Sequence, residues 1–191
     1  MGRKAWLVEA DLASEMHINR MIQQLAEAGP LYGLVNSAAI FEPLAMRETS
    51  VAEWNRHLSV NLTAPFLLSK AFAAQVPPDA EGRIVNVTDW RALRPGADHF
   101  PYTISKAALA SLTQAMAVAL APNISVNALA LGAILPPTDM KPGQDEAILR
   151  PVPAQRWGEL PEVESALLFL LSGPGYVTGE ILHVDGGRHL T

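Results

Sequence analysis

Short apolar runs alternate with longer segments of helical periodicity along this chain, and this alternation constrains its fold more than any other feature. The runs have the length of strands, and they lie at 5–10, 31–36, 82–88, 124–129 and 181–184. Alternation of this kind predicts βα units that form a parallel sheet covered by helices. We therefore predict one α/β domain over residues 1–191, with a doubly wound parallel sheet.

Residues that begin and end helices mark the segments between these runs. Ser50 with Glu53 is the sequence of a capping box, and Pro161 occupies the first position of another helix. The first helix has an apolar face and stops before Gly29-Pro30. The later helices are predicted at 51–76, 102–121, 144–150 and 161–173.

Composition excludes several classes of function. The net charge is -5, and the Lys and Arg residues are scattered, which argues against nucleic acid as a partner. No window approaches the ~20 apolar residues of a membrane span. The absence of cysteine is compatible with a reducing cytosol, so a cytoplasmic location is expected. No metal site is expected either, because no metal-ligand spacing occurs among five histidines interpreted as surface or loop residues: His17, His57, His99, His183 and His189.

Tyr102 and Lys106 are the first candidates for chemistry. They lie four residues apart near the start of a predicted helix, so they share a face. A nearby ammonium is expected to stabilise phenolate and to lower the pKa of the tyrosine toward a range useful for acid-base catalysis. A Tyr and a Lys at this spacing also occur by chance, so the pair alone is weak evidence.

The surrounding motifs are more specific. The segments LVNSAAIF, NLTAPFLLSKAF, GRIVNVTDWRALRPGADHFPYTISKAALASLTQAMAVALAPNISVNALALGAI and VTGEILHVDGG resemble, in order and spacing, the short-chain dehydrogenase/reductase family. The resemblance implies a Rossmann-like fold, NADP or alternatively NAD as cofactor, a small-molecule substrate, and a homo-dimer or homo-tetramer. It also implies that Tyr102 is the general acid or base and that Lys106 binds the nicotinamide ribose and tunes the tyrosine.

Asp89 departs from the usual pattern of the family. The family usually has a serine thirteen residues before the tyrosine, and this chain has Asp89 there. Pteridine reductases and dihydromonapterin reductases, which look similar, carry aspartate at this position. A carboxylate accepts hydrogen bonds from ring and amino N–H groups, which suits a C=N bond of a heterocycle better than a ketone. The competing interpretation is a strand-end residue that caps the next turn.

Phe41 and Asn61 are two further candidates. Phe41 matches a phenylalanine that stacks on the pterin ring in pteridine reductases, although a core phenylalanine at a strand exit is equally compatible. Asn61 matches a residue whose backbone carbonyl holds a relay water. Pro65 supports this role, because a proline has no N–H to offer the carbonyl four residues earlier. An ordinary proline kink is the alternative.

The same resemblance assigns the remaining cofactor contacts. Asp11 matches the end of a strand that contacts adenine, and Asn36 matches an asparagine that braces the central strands and borders the cofactor. Ala38 follows Asn36 in the same segment. Gly132 and Ile134 match the segment whose backbone meets the nicotinamide amide. The substrate pocket is expected to be closed by residues 135–158 and lined partly by Trp90, His99 and Phe100.

The glycine-rich TGxxxGxG turn that binds the dinucleotide phosphates in this family does not occur in the sequence. We therefore expect an N-terminally truncated domain that lacks the first two strands and their helices, which would leave the strand at 5–10 unpaired and an edge on the strand at 31–36. A misassigned start, a fragment, or a truncated inactive relative would explain this. The first two are favoured, because GRKAWLVEADL reads as the middle of a longer sequence.

These observations predict an NAD(P)H-dependent oxidoreductase that transfers hydride to C=N or C=O with Tyr102 as the general acid, and a pteridine reductase is the leading candidate. A carbonyl reductase or alcohol dehydrogenase, with Asp89 as a neutral variant, is the alternative within enzymes. The second alternative is a non-catalytic relative that acts only in assembly, through the helices at 51–76 and 102–121.

Overall fold

One parallel sheet organises the structure, which is a computed structural model that describes residues 5–26, 29–136, 140–141 and 143–191. The strands follow the chain in spatial order: β1 (Gly33–Asn36), β2 (Gly82–Asp89), β3 (Ile124–Leu131) and β4 (Ile181–Val184). The helices are α1 (Glu15–Ala26), α2 (Val51–Leu58), α3 (Ala64–Gln75), α4 (Phe100–Ala119), α5 (Gln144–Leu149) and α6 (Leu160–Ser172).

The sheet is covered on both faces, as the predicted doubly wound fold requires. Successive residues of a strand point to opposite faces. Ile84 of β2 accordingly packs in a cluster with residues of α3 and α4, whereas Val85 packs in a second cluster with residues of α6. Both side chains are fully buried. The near-continuous apolar sequence of β2 therefore reflects burial on two sides.

Most predicted elements are confirmed. The capping box is present, because Glu53 N–H donates to Ser50 Oγ at 3.2 Å and Ser50 N–H donates to Glu53 Oε2 at 2.7 Å. Pro161 lies in the first turn of α6, and Gly173 caps that helix at its end. The other boundaries differ from the predicted ones by one or two residues, which is the usual uncertainty of helix ends.

The predicted strand at 5–10 is wrong. A strand exists through hydrogen bonds to a neighbour, and no strand in the described part of the chain pairs with these residues. Leu7 is 99% exposed, so this apolar side chain gains no burial from the rest of the fold. β1 pairs only with β2 and is an edge strand, as expected for the strand at 31–36.

The helix predicted over 51–76 is interrupted by one π-helical segment, Ser59–Thr63, between α2 and α3. Ala64 N–H bonds to the carbonyl of Ser59, five residues earlier instead of four. Pro65 explains the change locally, because its ring lacks the N–H that an α-helix would direct to Asn61. The helix widens by one residue at this point and places Asn61, which is fully buried, on its inner side.

No helix among the described residues is long and apolar enough to cross a bilayer.

The cluster between the sheet, α3 and α4 generates a stability prediction. Val126 of β3 is fully buried there, whereas Val118 on the outer face of α4 is 82% exposed. Val126→Ala is expected to lower the free energy of unfolding by roughly 2 kcal/mol, through lost burial and a cavity. The matched Val118→Ala variant is expected to change it by less than about 0.5 kcal/mol. Urea unfolding of both variants measures this, and equal effects would contradict the assigned core.

Candidate active site

The candidate site lies where β2 and β3 end beside the first turn of α4. Asp89 is the last residue of β2 and is paired in register with Leu131, the last residue of β3. Tyr102 lies in the first turn of α4, which connects these two strands. The carboxyl ends of parallel strands are where α/β folds bind ligands. The two-sided burial of the sheet thus determines where these side chains meet.

Asp89 and Tyr102 form a hydrogen-bonded pair. The Tyr102 hydroxyl donates to Asp89 Oδ2 at 3.0 Å, and Asp89 Oδ1 accepts from Arg91 N–H at 2.8 Å. Burial raises the pKa of Asp89, although the Arg91 N–H, the charges of Arg91 and Lys106, and the Tyr102 hydroxyl oppose it. Asp89 also caps the turn that follows β2, so the capping interpretation and the site interpretation are both compatible with its contacts.

The expected lowering of the Tyr102 pKa is wrong for this arrangement. Burial is the largest cause that raises the pKa of Tyr102, and the charge and hydrogen bond of Asp89 add to it. The Asp89 carboxylate accepts a hydrogen bond directly from the Tyr102 hydroxyl, and its influence exceeds that of the Lys106 ammonium. Tyr102 therefore retains its proton in this arrangement.

Lys106 lies on the same face of α4 as predicted. Its Nζ donates to the carbonyl of Val87 at 2.7 Å and is 5.8 Å from the centroid of the Tyr102 ring. The side chain is buried, and burial lowers the pKa of Lys106 to about 8, although the Asp89 charge opposes this. A buried ammonium with a single protein acceptor retains two unused donors.

Asn61 connects the segment after β1 to α4. Its Oδ1 accepts from Ile40 N–H at 2.9 Å, and its Nδ2 donates to the Ile40 carbonyl at 3.0 Å and to Ser105 Oγ at 3.0 Å. Ser105 Oγ in turn donates to the carbonyl of Tyr102 at 2.7 Å. The side chain thus supports the backbone of the catalytic candidate. The role of the Asn61 carbonyl in holding a water stays a prediction.

Asn36 occupies a polar chain across the sheet. Its Nδ2 donates to Asn86 Oδ1 at 2.8 Å and to Ser69 Oγ at 3.3 Å, and Asn86 Nδ2 donates to Thr113 Oγ1 at 2.9 Å. All four side chains are buried. These contacts join β1, β2, α3 and α4, which is the bracing expected of Asn36.

Two cavities meet at the candidate site. The inner cavity, of about 370 Å³, is lined by Tyr102, Lys106, Thr88, Gly132 and Ile134, among others. The outer cavity, of about 490 Å³, is lined by Phe41, Trp90, Arg91 and Arg188 and by several side chains of the segment 135–158. Asp89 and Gly132 line both cavities, so they separate two compartments of a single site.

Phe41 lies on the wall of the outer cavity beside two other rings. It stacks on His99 at 3.9 Å with an interplanar angle of 7° and meets Tyr102 edge-on at 4.6 Å. His99 therefore covers one face of Phe41, and any flat substrate would use the other face or displace the imidazole. Trp90 and His99 line the outer cavity as expected, but Phe100 faces Trp54 instead, with ring centroids 6.2 Å apart.

Three of the predicted cofactor contacts, Asp11, Asn36 and Ala38, line neither of these cavities, and the cofactor contact of Asn36 stays a prediction. Asp11 lines a separate cavity of about 580 Å³ beside α1, where its Oδ1 accepts from Ala13 N–H. Ala38 is exposed, whereas its neighbours Ser37 and Ala39 line the inner cavity. Contacts of Asp11 and Ala38 with a cofactor stay predictions.

The interpretation of the five histidines needs correction. His57 is fully buried in α2, with its Nδ1 2.9 Å from the carbonyl of Glu53, and His183 belongs to β4. His183 also stacks on His189, with centroids 4.0 Å apart. Sequence spacing alone did not distinguish these positions from loops. Within the ranges that the structure describes, no group of three or more His, Asp or Glu side chains is arranged to hold a metal ion.

The residues of the inner cavity fit the nicotinamide end of a dinucleotide. The Thr88 hydroxyl is buried in its wall and has no hydrogen-bond partner among the described residues. Gly132 lets the turn after β4 pack closely against this wall, because a Cβ there would come within 2.6 Å of the Cα of Asp185. The Thr88 hydroxyl and the Lys106 ammonium have unused hydrogen-bond donors, which suit the hydroxyl groups of a ribose. The backbone beside them, at Gly132, suits a carboxamide.

Comparison with known proteins identifies the family. A family model described as Enoyl-(Acyl carrier protein) reductase matches residues 1–189. The chain is 36% identical to (2S)-[(R)-hydroxy(phenyl)methyl]succinyl-CoA dehydrogenase subunit BbsD of Thauera aromatica, over 99% of this chain and 78% of that protein. It is 35% identical to the 3-oxoacyl-[acyl-carrier-protein] reductase FabG of Aquifex aeolicus, over 97% of this chain and 77% of that protein.

The structure is also similar to FolM Alternative dihydrofolate reductase 1 from Brucella canis, which was crystallised with NADP. The TM-score is 0.87 at 34% identity, over 95% of this chain and 72% of that one. The parallel sheet with helices on both faces agrees with the fold of this similar structure. The chain therefore belongs to the short-chain dehydrogenase/reductase family of NAD(P)-dependent oxidoreductases.

Proposed function

We propose that the protein reduces a C=N bond of a protonatable heterocycle of the dihydropterin class, with Tyr102 as the general acid. The observation that supports this most is the 3.0 Å bond between Tyr102 and Asp89, at the junction of the two cavities. A carboxylate at this junction accepts from N–H groups of a heterocycle, which a serine hydroxyl does less strongly.

The inner cavity would hold the nicotinamide end of NADP(H), with NAD(H) as the alternative. The similar Brucella protein contains NADP, which favours the phosphorylated cofactor. Lys106 and Thr88 would bind the ribose, and the backbone at Gly132 and Ile134 would border the carboxamide. When bound, the reduced cofactor supplies the hydride.

Tyr102 holds the proton that the reaction consumes. Hydride addition leaves a strongly basic nitrogen or oxygen on the substrate, so a phenol with a raised pKa remains an adequate acid. The resulting phenolate lies near the Lys106 ammonium. Burial lowers the pKa of Lys106 only to about 8, so this group is still mostly charged at neutral pH. Asp89 accepts from the Tyr102 hydroxyl over 3.0 Å and so holds the hydroxyl in place until its proton is transferred.

Phe41 and Asp89 would orient the substrate in the outer cavity. Phe41 is 51% exposed and its ring meets Tyr102 edge-on, so a flat substrate that displaces His99 or Arg91 from this ring would lie beside Tyr102. A flat heterocycle stacked there would direct its N–H groups to Asp89. The combination of a ring platform and a carboxylate acceptor favours a pterin-like ring over an aliphatic ketone.

Reduction of a C=O bond is the second candidate. The 35% identity to a 3-oxoacyl reductase supports it. The raised pKa of Asp89 supports it as well, because a protonated carboxyl group can donate to a carbonyl as a serine does. The two candidates differ in the protonation state that Asp89 must have during the reaction.

Tyr102→Phe tests the general acid. It is expected to reduce kcat for a dihydropterin by about a hundredfold or more, because the proton donor is lost. The rate of NADPH oxidation measures this, and circular dichroism checks that the fold is retained. The control Tyr176→Phe removes a hydroxyl from a fully exposed side chain and is expected to leave kcat unchanged. Full activity in Tyr102→Phe would rule out the assigned role.

Asp89→Ser tests the substrate class. We expect the ratio of kcat/KM for a dihydropterin to that for a simple ketone to fall by about tenfold or more, since one charged acceptor is lost. The control Asp98→Ser removes an exposed carboxylate nearby, whose bonds are to His99 and Arg91. An unchanged ratio in Asp89→Ser would reject the heterocycle and favour the ketone.

Lys106→Met tests the buried ammonium through stability. The pKa of Lys106 is about 8 in the folded protein and 10.5 ordinarily, so between these pH values the unfolded chain binds more protons. The wild type should therefore gain stability relative to Lys106→Met as the pH rises from 8 to 10.5. Urea unfolding across this window measures the difference. Lys70→Met, at an exposed position of α3, is the matched control, and a flat difference for Lys106 would contradict the prediction.

A further inference from the structure

A pair of guanidinium groups lies against one ring in the wall of the outer cavity. The Cζ of Arg91 lies 4.7 Å, and that of Arg188 4.1 Å, from the centroid of the Trp90 ring. All three side chains line the cavity that also contains Phe41 and Asp89. The aromatic ring holds both cations by cation–π contacts, so two positive charges are fixed at one end of the site.

Arg91 uses little of its hydrogen-bonding capacity. Its guanidinium makes one long bond, at 3.4 Å, to Asp98 Oδ2, and lies 3.9 Å from Asp89 Oδ1. Its Nε is buried and has no hydrogen-bond partner within the described ranges. A guanidinium offers five N–H donors in a planar fork, which matches two oxygens of one carboxylate. The fork of Arg91 therefore lacks a well-placed acceptor.

Arg188 is brought to the cavity by the turn after β4. Asp185 holds this turn by accepting from the N–H groups of Gly187 at 2.9 Å and His189 at 2.8 Å. The turn packs so closely on Gly132 that only glycine fits there. Arg188 Nη1 donates to the main-chain oxygen of Thr191, the last residue of the sequence, at 3.0 Å and to its hydroxyl at 3.3 Å.

Two arginines and one aspartate lie close enough to Arg188 to influence its pKa. Burial lowers the pKa of Arg188, and repulsion from Arg94 and Arg91 lowers it further, whereas Asp185 opposes this. No side-chain carboxylate of the described residues lies within ion-pairing distance of Arg188 or Arg94. Asp89 lies 3.9 Å from the Arg91 guanidinium, but its hydrogen bonds are to Tyr102 and to the Arg91 backbone N–H, so it does not occupy the fork of Arg91 with a hydrogen bond.

We propose, building on the reductase function above, that the substrate carries a carboxylate that Arg91 and Arg188 bind beside Trp90 in the outer cavity. The reducible group of the same molecule then meets Asp89 and Tyr102. Because a planar fork discriminates strongly between a charged carboxylate and a neutral group, the arginine pair selects among substrates with the same reducible group.

Matched probes with and without a carboxylate test this proposal. Dihydrofolate and dihydrobiopterin share the reducible ring, and acetoacetate and acetoacetamide share the ketone. Binding is measured by calorimetry and turnover by NADPH oxidation. In at least one pair the wild type is expected to bind the carboxylate at least about tenfold more tightly, as charged hydrogen bonds allow.

The variants localise the effect. Arg91→Gln and Arg188→Gln are each expected to weaken carboxylate binding by about tenfold and to change binding of the neutral probe by less than about twofold. Arg91→Lys, which keeps the charge without the fork, should recover part of the binding. Arg94→Gln removes an equal charge from an exposed neighbour that does not line the cavity, and should change binding by less than about threefold.

The outcomes separate this proposal from the function on which it rests. Equal or absent binding of both members in both pairs overturns the carboxylate proposal, as does an equal loss for charged and neutral probes in the arginine variants. Selective, arginine-dependent binding without turnover supports the carboxylate site and rejects the reductase. Turnover of the neutral probes alone rejects the carboxylate site and supports the reductase.

Discussion

Two-sided burial of β2 and β3 is the constraint on which the rest of the structure depends. Strands covered on both faces have no water to satisfy their backbone groups, so each N–H and C=O must pair within the sheet. The resulting parallel register ends both strands at the same level, with Asp89 opposite Leu131. The helix between them must then start at that edge, and this places Tyr102 beside Asp89.

Burial at this edge also sets the electrostatics of the site. Desolvation is the largest influence on the pKa of Asp89, Tyr102 and Lys106, and it favours the neutral form of each. Burial therefore acts against charge on all three groups, and shifted pKa values of this kind are typical of functional sites. The permanent charges lie further out, on Arg91 and Arg188, where cation–π contacts with Trp90 hold them.

Local sequence signals predicted most of the fold and the chemical pair. The capping box at Ser50, the periodic helices and the Tyr102–Lys106 spacing each depend on neighbours within a few residues. The prediction of a strand at 5–10 was wrong because a strand needs a hydrogen-bonded neighbour, which a local apolar run does not specify. The predicted direction of the Tyr102 pKa shift was wrong because burial and Asp89, thirteen positions away, outweigh Lys106, four positions away.

The contacts between distant side chains at the outer cavity had the weakest signal in the sequence. Arg188 follows β4 and Trp90 follows β2, so the two residues are far apart in the sequence although their side chains are in contact. His99 likewise stacks on Phe41 from a different loop. Such contacts depend on tertiary packing, which spacing along the chain does not encode. Asp89, by contrast, was identifiable from the sequence, because its position thirteen residues before Tyr102 corresponds to a position in the motif of the family.

The side-chain amide of Asn61 makes the hydrogen bonds that a backbone peptide group would make. It accepts from the N–H and donates to the C=O of the same residue, Ile40, as a neighbouring strand would, and its remaining N–H reaches Ser105. This side chain thereby extends the sheet edge beyond the end of β1 without any further backbone. Hydrolysis of this one amide to a carboxylate would retain the acceptor and abolish both donors. Deamidation of this single side chain would therefore remove two of the hydrogen bonds that connect the segment carrying Phe41 to the helix carrying Tyr102.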